Sequence, residues 1–284
     1  MNPPSKIPRE NIEQDADRRI KIVCIANCGL LVESPQAKVL VDGIYQVEKT
    51  DKKSTGANIL PAEELFSSIS SVVLDRIIQG VGEFSDIDGL LFTHYHWDHF
   101  SAEKARQHLR NNPLASILLP YNEDPEMIAI QERAGKSGTK LMTMHLPIGR
   151  KGVHVIKDIC IHYCRVPHTG IEWFHTPHYS FLLEIHGKKI YISGDADYTD
   201  GHQQEILAGE DITLGFFNAL HFIFKAGRDT INRLHPKRVV MYHIPFEKDD
   251  LHGFRRVSQR VLDRYRHNLP PCEMVEHELQ TFYL

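Results

Sequence analysis

The chain has 284 residues, enough for two domains of ordinary size or one large one. Its 33 basic and 37 acidic residues leave a formal charge of −4, which argues against a dedicated nucleic-acid binder. A composition 42% hydrophobic and 25% charged is that of a globular protein and not of a disordered one. No apolar run approaches the roughly 18 residues a spanning helix needs, so a membrane-spanning protein is excluded. The opening MNPPSKIPRE has no apolar stretch after its charges and does not read as a secretory signal. The five cysteines are Cys24, Cys28, Cys160, Cys164 and Cys272, an odd number that does not suggest a disulfide framework. A cytoplasmic location is expected. The cysteine pairs spaced four apart admit a zinc knuckle, but both lie in apolar strand-like runs, where cysteine serves as a small hydrophobe.

Residues 1–19 are polar and proline-bearing and read as an N-terminal arm. From Lys21 the runs KIVCIA, GLLVES and KVLVDG are strands separated by turn residues, an antiparallel start. Residues 43–88 interrupt this pattern. A polar loop is followed by PAEELFSSISSVVLDRIIQ, whose apolar spacing at Leu65, Ile69, Val72, Val73 and Ile77 predicts a helix. A loop and helix inserted between strands predict a lid over a site. GLLFTH is then a strand running into histidines. Ser101 caps a helix that ends at Asn112-Pro113, SILLP is a strand, and 121–140 contain a helical stretch. KLMTMHL and VHVIKDICIHYCRV return to strand, and YSFLLEIHGKKIYISGD is a hairpin turning at His186-Gly187. LGFFNAL and RVVMYHI are strands around the helix RDTINRL, the last helix spans roughly 250–266, and the end has strand character. Two β-rich halves with helices at intervals predict one α/β domain over 20–284, with sheets inside and helices outside.

Histidine is the compositional outlier, with 18 residues, and imidazole is the commonest metal ligand. The central signal is His94-Tyr95-His96-Trp97-Asp98-His99, after an apolar strand and before a helix. In an extended segment alternate side chains share a face, so His94 and His96 can hold one metal. Asp98 and His99 lie where the chain bends and can face a second metal. Nitrogen and carboxylate oxygen ligands suit zinc, and also manganese or iron. Tyr95 and Trp97 alternate with the ligands and are expected to point away from them, into the core.

This His-X-His-X-Asp-His pattern resembles the hallmark of the metallo-β-lactamase fold superfamily. The resemblance implies a four-layer αβ/βα sandwich with two divalent metal ions at one edge of its sheets. It extends to Gly194-Asp195 after the strand KKIYIS, where Ala196 replaces the family's usual threonine, and to His243 after RVVMY. It implies that His94, His96 and His168 hold one metal, that Asp98, His99 and His243 hold the other, and that Asp195 bridges them. His175 is the alternative to His168. His168 is preferred because it ends a long strand. The surroundings of His168 resemble the ascorbate-6-phosphate lactonase-like branch. Asp42, at a strand end, is the residue that in the family supports a metal-binding histidine.

Two metals acidify a bridging water to hydroxide at neutral pH, and Asp98 is the natural proton carrier beside it. The expected function is hydrolysis of a small anionic ester, a phosphodiester or a phosphorylated lactone. The alternatives are a mononuclear iron dioxygenase of the persulfide-oxidising kind and a nucleic-acid phosphodiesterase of the same fold. His175, His178, Tyr198 and His221 are candidate substrate contacts by their nearness to ligands in sequence. No membrane or nucleic-acid partner is expected.

Overall fold

A computed structural model describes residues 19–45, 65–112, 116–123 and 138–284, together with 130 and 132. Residues 1–18 of the expected arm, 46–64 of the expected lid and most of the helical stretch expected within 121–140 lie outside the described residues.

In chain order the first six strands are β1 (Lys21–Cys24), β2 (Leu30–Glu33), β3 (Lys38–Val41), β4 (Gly89–Leu91), β5 (Ser116–Pro120) and β6 (Leu141–Met144). The next seven are β7 (Lys151–Ile156), β8 (Ile159–Arg165), β9 (Tyr179–Ile185), β10 (Lys188–Ile192), β11 (Leu214–Asn218), β12 (Val239–Tyr242) and β13 (Cys272–Met274), and β14 (Gln280–Tyr283) follows. Two seven-stranded sheets result, in the orders β14-β1-β2-β3-β4-β5-β6 and β13-β12-β11-β10-β9-β8-β7. Each is mixed. The strands β3 to β6 run parallel in the first sheet and β10 to β13 in the second, while the remaining neighbours are antiparallel.

Period-two alternation divides the second sheet between two cores. Ile190, Ile192, Phe216, Val240 and Tyr242 join the core between the sheets. Their neighbours Tyr191, Phe217, Val239 and Met241 join a second core. That core is closed by Phe222, Ile231, Leu234 and Leu262. These come from helices α4 (Ala219–Ile223), α5 (Lys225–Leu234) and α6 (Phe254–Tyr265), which follow α3 (His202–Ile206). On the first sheet the outer layer is α1 (Ser71–Gln79) with α2 (Ala102–Asn111). The layers are therefore helix, sheet, sheet, helix, the expected sandwich.

The hairpin β9–β10 turns at His186 and Gly187, both with positive φ (49° and 77°), as a two-residue turn between right-twisted strands requires. The Ser101 hydroxyl accepts from the Lys104 N–H, as the predicted cap of α2. Helix α1 is shorter than expected. Ser70 adopts extended backbone and its side chain accepts from the Val73 N–H, so the helix begins at Ser71 and not near Pro61. Leu65 and Ile69, expected on a helical face, precede it outside any helix. Within the expected lid, α1 packs into the body: Ile77 and Ile78 are buried, and the Ile77 carbonyl lies 2.7 Å from Nδ1 of His108 on α2.

All five cysteines are free thiols. Among the described residues they form no four-cysteine or paired-cysteine metal group. No helix among the described residues is long and apolar enough to cross a membrane.

Candidate metal centre

Parallel strands deliver their carboxyl ends to one edge, the usual place for a site in open α/β sheets. From the first sheet, β3 runs into Asp42 and β4 into the loop 92–99. From the second, β8 leads to His168, β10 to Gly194-Asp195 and β12 to His243. A bridge between His168 and Ala196 and a hydrogen bond from the Thr169 N–H to the Asp195 carbonyl (2.8 Å) hold the β8 and β10 ends together. Gly194 has φ of 55°, and a Cβ there would lie 2.6 Å from Nε2 of His178, so glycine is required by both conformation and space.

Seven side chains converge. His94, His96, His168 and Asp195 bring ligand atoms within 4.8 Å of one another, and Asp98, His99 and His243 do the same. One carboxylate touches both groups. Asp195 Oδ2 lies 3.9 Å from His94 Nε2, 3.5 Å from His168 Nε2 and 3.6 Å from His99 Nε2. Its Oδ1 lies 3.4 Å from His243 Nε2. Asp98 Oδ2 is 3.2 Å from His243 Nε2 and 3.7 Å from His99 Nε2.

Hydrogen bonds behind the ligands set their tautomers. An ionised Asp42 can only accept, so the Thr93 hydroxyl donates to its Oδ2 at 2.6 Å. That hydroxyl then accepts from Nδ1–H of His94 at 2.9 Å. His99 Nδ1–H donates to Asp42 Oδ2, also at 2.9 Å, and His168 Nδ1–H to the Thr169 carbonyl at 2.6 Å. In all three rings the Nε2 lone pair is left facing the centre, the arrangement metal-binding imidazoles need. Asp42 itself has φ of 46° and His243 of 56°, conformations disfavoured for side-chain-bearing residues and held here by the surrounding contacts.

The site fits divalent cations on internal evidence. Buried Nε2 of His94, buried Nε2 of His168 and Oδ1 of Asp195 have no hydrogen-bond partner, and buried polar atoms ordinarily do. Nε2 of His99 and His243 stand 3.0 Å apart, and two imidazole nitrogens so close need a proton or a cation between them. Electrostatics agree for the first group, while at His99 burial is outweighed by the charges of Cys28, Asp98, Asp195 and Asp42, which hold the imidazole well above its usual range, so that a proton sits there unless a cation takes its place. Burial pushes His94 well down, and pushes His96 down to about 4, assisted by His168, so both favour the neutral ligand form. Burial alone would raise Asp195, but His243 and His99 hold its carboxyl well below the usual range. Burial likewise opposes ionisation of Asp98, and His99 and His243 outweigh it.

The four candidate substrate contacts are not where sequence proximity suggested. His178 is fully buried, and its Nε2 accepts the Asp195 backbone N–H at 2.9 Å, so it positions a ligand loop. Burial drives its pKa well down, consistent with a neutral acceptor. His221 is also fully buried, held by the Asn218 side chain at 2.9 Å and by Gln203. Tyr198 stacks on Phe224 with ring centroids 5.7 Å apart. His175 is exposed in the loop after β8, against Phe174, and of the two histidines weighed for the first group only His168 joins it.

A cavity of about 750 Å³ opens over the centre, lined by His96, Asp98, His168, Asp195 and His243 and by a largely apolar wall. Trp97 belongs to that wall and is 40% exposed, contrary to the expectation that it points into the core. β4 ends at Leu91, so residues 92–98 are loop and strand alternation no longer applies. Tyr95 does both: it borders the cavity while its hydroxyl donates to the Pro120 carbonyl. Phe66 and Trp173 were not anticipated. Phe66 sits edge-on to His243 at 4.6 Å between ring centroids, and Trp173 edge-on to His96 at 4.6 Å. Cys28, read as a hydrophobe, donates its thiol to the Asp98 carbonyl at 3.0 Å, tying the ligand loop to the turn after β1.

Residues 73–244 match the family model described as the beta-lactamase superfamily domain. No curated protein matches significantly. Among solved structures, the chain is similar to CmlA, a diiron beta-hydroxylase from Streptomyces venezuelae, with a TM-score of 0.62 and 13% identity over 94% of this chain. The chain spans only about half of that protein, 54%. It is similar to an isothiocyanate hydrolase from Delia radicum gut bacteria (TM-score 0.62, 14% identity, 92% of this chain and 98% of that one). It is likewise similar to Igni18, a metallo hydrolase from the archaeon Ignicoccus hospitalis KIN4/I (TM-score 0.57, 15% identity, 94% and 98%). At these identities the neighbours establish the shared sandwich. Metal-dependent hydrolases and a diiron hydroxylase both stand among these neighbours. Because its model covers more than half of the sequence and the sandwich nearly all of it, the chain belongs to the beta-lactamase superfamily.

Proposed function

We propose that the protein is a dinuclear metal hydrolase acting on an ester, a phosphodiester or a lactone. The observation that carries this reading is the Asp195 carboxylate, which reaches both ligand groups, with Oδ2 toward His94, His168 and His99 and Oδ1 toward His243. A single-metal dioxygenase would leave Asp98, His99 and His243 converging without purpose.

His94, His96 and His168 would hold one ion, Asp98, His99 and His243 the other, with Asp195 between. Zinc is the proposed occupant. Bound there, two zinc ions supply a water acidic enough to react at neutral pH and positive charge for the oxygen that gains charge in the transition state. The chain does the rest. Asp98 lines the cavity, is nearly buried, and carries the proton from nucleophile to leaving group on its carboxylate. Asp42 and Thr93 fix the rings of His99 and His94. The apolar wall excludes bulk water, which strengthens every electrostatic contact inside. No serine or cysteine nucleophile is required, and the Cys28 thiol, which burial pushes up to about 12, is not one.

The test is metal content per chain in protein purified without added metal, measured with activity on bis(p-nitrophenyl) phosphate and simple lactones. About two zinc or manganese ions with hydrolysis supports the proposal. One iron and no hydrolysis overturns it.

A further inference from the structure

Resting on that hydrolase reading, we infer that the substrate is an ester or lactone whose reacting group is its only strongly polar part, with an apolar acyl or alkoxy remainder seated on the aromatic wall. The sequence led to an expectation of a phosphorylated substrate. A phosphate remote from the reacting bond needs its own cation or donor cluster. Among the described residues lining the cavity there is no lysine or arginine, and the one charged side chain besides the ligands is Glu172, which repels an anion. Among the described residues the walls carry no positive charge, and ions held at the ligand cluster would supply it where the reacting oxygen goes.

The walls are instead built for apolar contact. Phe66, Tyr95, Trp97, Trp173, Leu220 and Phe254 surround the ligand atoms. Phe66 flanks one ligand group through His243 and lies 6.1 Å from Trp97. Trp173 flanks the other through His96. Both edges of the reacting position are thus bounded by aromatic rings. In the short segment that brings Trp173 to the cavity, Trp173 is 44% exposed and its neighbours Ile171 and Phe174 are 92% and 43% exposed, an unusual cost in water unless a ligand or partner covers the segment. A cavity of about 750 Å³ takes a medium acyl chain or an aromatic ring besides the reacting group.

The chain has two tryptophans, Trp97 and Trp173, and both line this cavity, so intrinsic fluorescence reports its occupancy directly. The experiment uses the full chain as purified, with two readouts. The first is energy transfer from these tryptophans to the neutral probe N-phenyl-1-naphthylamine, with displacement by p-nitrophenyl octanoate or by glucose 6-phosphate. The second is kcat/KM on p-nitrophenyl acetate, hexanoate and octanoate. Each methylene buried on the wall is worth about threefold to fourfold, so we expect octanoate to exceed acetate by at least about tenfold. We expect Trp173→Ala to reduce that ratio, mainly through KM. Displacement of the probe by glucose 6-phosphate but not by octanoate, or equal rates on acetate and octanoate, overturns the inference and leaves the hydrolase reading standing. Probe binding displaced by octanoate, with no hydrolysis of any ester, upholds the apolar site and overturns the hydrolase reading.

Discussion

At the scale of single residues, His168 and His175 pose the sharpest contrast. Both are histidines in the segment after β8, but only His168 brings a buried, unpartnered Nε2 to Asp195, while His175 is exposed. We expect His168→Ala to lose about one metal ion per chain and His175→Ala to keep the full complement, as read by atomic emission on dialysed protein. Equal losses would refute the ligand assignment. Asp42 is the second case. It accepts from His99, from the Thr93 hydroxyl and from the Thr93 N–H at 2.8 Å. Replacing it with asparagine offers a donor where two acceptor bonds are needed, so we expect Asp42→Asn to weaken metal affinity about 10–100-fold in chelator competition. Unchanged affinity would make Asp42 an ordinary turn residue. The convergence of these side chains was legible because metal chemistry restricts candidate ligands to few residue types at strand ends. Phe66 and Trp173 were not, since nothing in a lone aromatic residue distinguishes a cavity wall from a core.

Secondary-structure elements were read best where a local rule had no tertiary rival. The Ser101 cap and the His186-Gly187 hairpin are of this kind, because cap and turn geometry are decided within a few residues. The start of α1 was missed because helical spacing over 65–77 says nothing about which of several serines caps, and the chain uses Ser70. Trp97 was misplaced because a strand rule was carried past the end of β4. Helix α4 illustrates a further consequence of packing. It buries His221 against α3 through Gln203, and burial pushes that imidazole down to about 3. The unfolded side chain titrates near 6.5. Between those values the unfolded chain binds a proton that the folded one does not, so stability falls as pH drops from about 6.5 toward 3. We expect the urea midpoint of metal-free protein to fall more steeply from pH 6.5 to 4 than that of His221→Gln, by up to ~1.4 kcal/mol per pH unit for this group. Parallel slopes would show that His221 carries no such linkage.

For the molecule as a whole, the layered sandwich followed from the order of β-rich and helical segments, whereas the pairing of strands distant in sequence did not. β13 and β14 read as one region of strand character, yet they belong to different sheets. Only the completed fold decides that, because each short strand satisfies its backbone wherever an edge is open. The ligands are also divided between the sheets. His94 to His99 follow a strand of the first, and His168, Asp195 and His243 follow strands of the second. Ions held by these residues would therefore tie the two halves together, since an ion that binds only the folded state stabilises it by mass action. We expect chelation to lower Tm by roughly 5–10 °C in calorimetry, restored by adding metal back. No change on chelation, with metal loss verified, would mean that the sheets hold their spacing unaided.

The pairing of β1 with β14 brings Ile20 and Leu284 together in reciprocal hydrogen bonds, 3.1 Å from the Ile20 N–H to the Leu284 carbonyl and 3.0 Å in return. The covalent order of the chain is thus separable from its architecture. A circular permutant joined from Leu284 to Arg19 by a short glycine linker, and opened between His186 and Gly187, cuts the backbone only at a turn where a side chain added to Gly187 would meet nothing within 4 Å. Such a permutant should fold and retain its metal. If it does not, the β9–β10 hairpin is needed to begin folding and not only to complete the sheet.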